Sequence, residues 1–142
     1  MRVMAIRLLV CLLATTVLVG LAVAGTDEDK KLREAVRAYF AAEMACDHAK
    51  VWEMLAPSSK FKRMYSYPFY EEFVRSNPIR VKSYTIEEVV DIYDNPDRKT
   101  MPHVDKIGVV RVHVVLSAKG GVDTEHTSTF TFLKEEGKWL KG

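Results

Sequence analysis

The sequence predicts an α+β fold, with three N-terminal helices packed on a curved antiparallel sheet of about four strands. Two observations carry this. Apolar residues recur at helical spacing as far as Asn77-Pro78, and from Arg80 onward they alternate with polar ones to the end of the chain. The 142 residues, 48% apolar and 28% charged, fit one globular domain and exclude a collagen-like, disordered or disulfide-framework chain.

Residues 1–24 have the pattern of a secretory signal. Arg2 and Arg7 precede the uncharged apolar run Leu8 to Leu21, and Ala22-Val23-Ala24 supplies the small residues of a cleavage site before Gly25. The expected location is periplasmic or secreted, with no membrane attachment after cleavage. The formal charge of +2 comes from those two arginines, because residues 25 to 142 hold 19 basic and 19 acidic side chains. A nucleic-acid partner is therefore not expected. Cys46 is the only cysteine beyond the signal, which excludes an intrachain bridge, and its helical phase predicts a buried small hydrophobe.

In the remaining domain, 25–142, Thr26 and Asp29 make a capping-box-like start to the first helix, with Asp27, Glu28 and Asp29 favourably placed near its N-terminus. Leu32, Val36, Phe40 and Met44 form its i, i+4 apolar row, beside Ala35, Tyr39 and Cys46. Asp47 caps a short second helix carrying Val51, Trp52 and Leu55, which Pro57 ends. Residues 57 to 66 are expected to be a loop, and Pro68 opens a third helix that Asn77-Pro78 closes.

The strands are expected at Arg80 to Tyr93, Ile107 to Ala118, Val122 to Leu133 and Lys138 to Lys141, with Asp94 to Lys106 a mobile rim or lid. At Lys119-Gly120-Gly121 a three-residue turn with a glycine bulge is preferred to a two-residue turn. It groups Val110, Val112, Val114 and Leu116 with Phe130 and Phe132 on one face, and Arg111, His113, Glu125, Thr127, Thr129 and Thr131 on the other. Thr124, His126 and Ser128 then become polar members of the apolar face, where a buried histidine needs a partner or a ligand. Glu88 either points inward as an acid of raised pKa or is turned outward by a bulge at Glu87-Glu88, and the bulge is preferred.

Helices followed by a long antiparallel meander, Tyr39-Phe40-Ala41-Ala42 with Asp47 opening the next helix, and the ending Phe132-Leu133-Lys134-Glu135-Glu136-Gly137-Lys138-Trp139 resemble the nuclear transport factor 2-like superfamily. The resemblance implies a cone of curved sheet closed by helices around a pocket, often with a homodimer through the outer sheet face. Tyr39 lies eight residues before Asp47, the spacing of the oxyanion-hole tyrosine in the superfamily's steroid isomerases. Those enzymes also carry a basic aspartate after the second helix, and here Pro57 to Tyr70 contains no acid.

Six of the 14 aromatic residues fall between Phe61 and Phe73. Tyr65, Tyr67 and Phe69, with His126 and Ser128, are the expected contacts of a small apolar or amphipathic ligand, and Lys60, Lys62 and Arg63 could hold an acidic head group. The function expected first is non-catalytic binding by an exported domain. The alternatives are a small cofactor-independent lyase, isomerase or hydrolase using His126 as general base with Tyr39 or Tyr65 as hydrogen-bond donor, and a homodimeric interaction module of the cell envelope. No metal spacing or cofactor motif is present in the sequence, and neither a metal nor a cofactor is expected.

Overall fold

The computed structural model describes residues 25–118 and 120–142; the expected signal segment lies outside them. Four helices, α1 (Asp27–Met44), α2 (His48–Glu53), α3 (Lys60–Met64) and α4 (Tyr67–Ser76), precede four strands, β1 (Arg80–Asp94), β2 (Val104–Ser117), β3 (Asp123–Glu135) and β4 (Lys138–Lys141). The strands form one antiparallel sheet in chain order, β1-β2-β3-β4. The fold is α+β, as the change of period implies.

Caps set the helix starts. The Thr26 side chain accepts from the Asp29 amide and that of Asp47 from the Lys50 amide. The stretch expected to be loop contains α3, because the Ser59 hydroxyl accepts from the Lys62 amide and caps a five-residue helix that the apolar pattern is too short to reveal. Among the described residues four helices therefore stand where three were expected.

Leu32, Val36 and Phe40 of α1 pack into a core with Val110, Val112, Val114, Phe132 and Trp139. Met44 leaves this row and is exposed, while Ala42 is buried beside Val51 of α2 and Tyr70 of α4. The last turn of α1 has passed the sheet and faces helices instead. Cys46, expected to be buried, is exposed and has φ of 51°. Reversing the chain between α1 and α2 requires a left-handed residue there, which takes the thiol out of helical phase.

The hairpin register is the one expected. The Gly121 amide donates to the Ala118 carbonyl, the Ala118 amide donates to the Val122 carbonyl, and φ is 81° at Gly121. Val110 pairs with Phe130, Arg111 with Thr129, Val112 with Ser128, His113 with Thr127 and Val114 with His126. A bulge between Ile86 and Glu88 turns both glutamates outward, where Glu88 accepts from Arg111 at 2.5 Å and Glu87 accepts from the Thr127 hydroxyl at 3.3 Å. Further register shifts at Val81/Ser83 and Val89/Asp91 bend β1.

The expected rim segment is shorter, because β2 begins at Val104. It is also pinned. Asn95 is buried and its side-chain amide donates to the Met101 and Val104 carbonyls at 2.9 and 3.0 Å. At the β4 edge of the sheet, Ala56 and Lys141 join the end of α2 to β4 through the Ala56 amide to Lys141 carbonyl and Lys141 amide to Met54 carbonyl bonds, each 2.8 Å. Glu135, buried on β3, accepts from the Ser58 amide and hydroxyl at 3.1 and 2.8 Å and fixes the same loop.

Candidate functional site

A cavity of about 290 Å³ lies among α1, α2, α4 and the start of β1. Its apolar wall comes from Val51, Leu55, Phe61, Phe73, Val74, Ile79 and Val81, and its polar groups from Tyr39, Glu43, His48, Tyr70, Asn77 and Arg80, with Cys46 beside them. Two grooves of about 410 Å³ each lie elsewhere on the surface. They are bounded largely by exposed residues, Met64 and Tyr65 in one and Arg75 and Ser76 in the other. The first cavity brings the buried Tyr70 together with the part-buried Tyr39 and Glu43 against an apolar wall, so it is the stronger candidate.

The polar wall follows from helix geometry. Tyr39 and Glu43 are one turn apart on α1, and the Tyr39 hydroxyl donates to Glu43 Oε1 at 2.6 Å. Burial pushes the Tyr39 hydroxyl pKa far up, and the Glu43 carboxylate and its hydrogen bond push it further. Tyr70 faces them from α4 and is also raised, first by burial, then by Glu43 and Tyr67. Both phenols therefore stay protonated and can donate. Burial lowers the pKa of Lys141 while the charge on Glu43 opposes that shift. Glu43 is thus the electrostatic centre of the site.

The side chains expected to bind ligand are distributed differently. Tyr65 and Phe69 stack on each other outside, with ring centres 4.6 Å apart and planes 10° apart. Tyr65 borders one of the surface grooves. Tyr67 packs 5.9 Å from Trp52 and its hydroxyl donates to Glu71 at 3.4 Å. His126 is exposed although its cross-strand partner Val114 is buried, because β4 pairs only with Phe132–Glu135 and leaves that part of β3 as an open sheet edge, and Ser128 beside it is half-buried. None of these five lines the cavity. The expected catalytic pair is separated likewise, Tyr39 in the cavity wall and His126 outside it.

The helical period of α4 explains the split among the aromatics. Tyr67, Tyr70 and Val74 share the face turned to Trp52 and α2, while Phe69 and Phe73 lie on exposed faces. Phe73 alone of these two reaches the cavity. The basic residues of 60–63 do not form an anion site. Lys62 donates to the Trp52 and Leu55 carbonyls, both at 3.1 Å, and lies 5.5 Å from the Trp52 ring centre, so its charge terminates α2. Lys60 and Arg63 are exposed.

Sequence reasoning missed Glu43. A signal was available in the Tyr39/Glu43 i, i+4 spacing on the apolar side of α1, although that spacing is equally common on solvated helix faces. Among the described residues no group of three or more His, Cys, Asp or Glu side chains is arranged to hold a metal ion.

No family model matches the chain, and no curated protein matches it. Solved structures do. A computationally designed 17-OHP binder is 13% identical, with a TM-score of 0.52 over 78% of this chain and 88% of that one. A putative calcium/calmodulin dependent protein kinase II association domain from Xanthomonas campestris is 16% identical, with a TM-score of 0.52 over 83% of this chain and 87% of that one. At such identities the likeness extends to the fold alone.

Proposed function

We propose that this chain is an exported, nuclear transport factor 2-like domain that binds a small, largely apolar ligand without transforming it. The observation that supports the reading is the cavity between helices and sheet, with its aliphatic and aromatic wall and a few convergent polar groups. The polar groups favour binding over catalysis. Tyr39 and Tyr70, held as protonated phenols, can donate in either reading, but His126, the base of the enzymatic alternative, stands outside the cavity. The designed 17-OHP binder is a precedent for a ligand in this fold and does not specify one here.

Native mass spectrometry of the full chain, expressed in and purified from its own host, tests this. The expected species begins at Gly25 and retains a small molecule. Ile79→Trp fills the cavity mouth from an exposed position and should abolish retention, whereas His126→Ala should leave it intact. Retention that survives Ile79→Trp but not His126→Ala would refute the assignment of the cavity. A ligand-free dimer would favour the envelope interaction module instead.

A further inference from the structure

Glu43 sits half-buried in the cavity wall with one hydrogen bond, from Tyr39 to Oε1, and no salt bridge among the described residues. Nearby cations are engaged elsewhere. Arg80 donates to the carbonyls of Asn77 and Ile79 at 2.5 and 3.0 Å, and the Lys141 ammonium donates to the Gly142 carbonyl. Tyr70 is 6% exposed as a residue, and its hydroxyl, which no protein group among the described residues bonds, reaches solvent in the cavity, since no fully buried polar side-chain atom among them lacks a partner. The cavity thus presents a carboxylate with a free oxygen beside an unpartnered phenol.

A ligand that fills the cavity displaces the water solvating that carboxylate. An apolar ligand leaves the carboxylate without a partner, an anion could use Arg80 but gains nothing from Glu43 and is repelled by it, and an alcohol returns one neutral hydrogen bond. A protonated amine returns a charge-assisted bond and a counter-charge, and it can also take up the negative faces of neighbouring aromatic rings. We propose that the ligand class is an organic ammonium compound, with its nitrogen on Glu43 and its apolar body against Val51, Phe61 and Phe73. The inference rests on the cavity being a ligand site, as proposed above. Tyr39, Cys46, His48, Tyr70 and Arg80 are the other ionisable groups of the wall, and the Glu43 charge also acts on Lys141.

The test is isothermal titration of the full chain at pH 7 with matched probes, hexylammonium, hexanol and hexanoate, with chemical-shift mapping to Tyr39 and Phe73. Hexylammonium should bind about tenfold or more tightly than hexanol, as expected when a charge-assisted bond replaces a neutral one, and hexanoate least. Glu43→Gln should erase the amine-to-alcohol preference, and Tyr70→Phe should weaken amine binding about threefold while the fold persists. Equal binding of amine and alcohol, or a preference for hexanoate, overturns the ammonium assignment and leaves the cavity as a ligand site. Silence from all three overturns both. If Glu43→Gln does not fold, the amine-to-alcohol ratio on the unaltered chain and the Tyr70→Phe effect decide.

Discussion

Gly108 of β2 lies directly against Leu32 of α1, and replacing it by alanine tests that packing. A Cβ there would lie 2.6 and 3.2 Å from the Leu32 methyl carbons and 3.2 Å from Trp139 Cζ3. Leu32 is fully buried and Trp139 nearly so, so neither can swing into solvent, and the helix must lift or a rotamer must strain. Such overpacking costs roughly 1–3 kcal/mol. Alanine recovers about 0.4–1 kcal/mol by restricting the unfolded chain, which leaves a net destabilisation of about 1–2 kcal/mol. For a domain of this size the melting temperature should fall by roughly 4–10 °C. The diagnostic measurement is a double-mutant cycle by urea denaturation. Leu32→Ala alone should cost about 2–5 kcal/mol, yet in its presence Gly108→Ala should cost little or become stabilising, because the clashing methyl groups are gone. Strict additivity of the two changes would refute the packing argument.

Glu28 accepts from Lys134 at 2.6 Å and from the Trp139 indole at 3.2 Å, joining α1 to β3 and β4, and these hydrogen bonds, Lys134 foremost, hold its pKa below the ordinary 4.5. A depressed carboxyl stabilises the fold above its unfolded pKa and loses that effect as pH falls through the folded value. Glu28→Gln should therefore cost about 1–2 kcal/mol at pH 7, with the gap to the unaltered chain closing only below pH 4.5 in acid denaturation curves. Glu135→Ala should cost about 2–3 kcal/mol in urea unfolding, since it strips partners from the amide and hydroxyl of Ser58. Cys46 should be alkylated in the native chain at close to the rate of an unfolded control when peptides are mapped by mass spectrometry, whereas protection by orders of magnitude would restore the buried reading.

Much of the fold was legible because its signals are local. Capping residues sit within three positions of the helix starts they fix, and the glycine turn after Ala118 sets the register of β2 and β3 through a period of two. The outward Glu88 was legible for the same reason, since a bulge resolves a conflict visible within one strand. Helix α3 was not. Five residues give too few turns for a pattern, and its cap is distinguishable from any other serine only by the helix that follows.

The site was much less legible, and particular residues show why. His126 has the right phase for the inner face, but phase specifies a side and not whether anything covers it; α1 covers Val114 beside it on β2, while β4 stops short of that part of β3 and leaves His126 in solvent. Tyr65 and Phe69 are as aromatic as Tyr70, yet only the docking of α4 on Trp52 separates those that face inward from those that stack outside. By itself the sequence determined the order of helices and strands, the hairpin register and the segregation of apolar from polar side chains, because each depends on neighbours a few positions away. Tertiary structure alone decided that Glu43, Tyr39 and Tyr70 share a cavity while Lys62 caps a helix, because that depends on how three helices, joined by turns with no fixed angle in the sequence, settle against one end of a bent sheet.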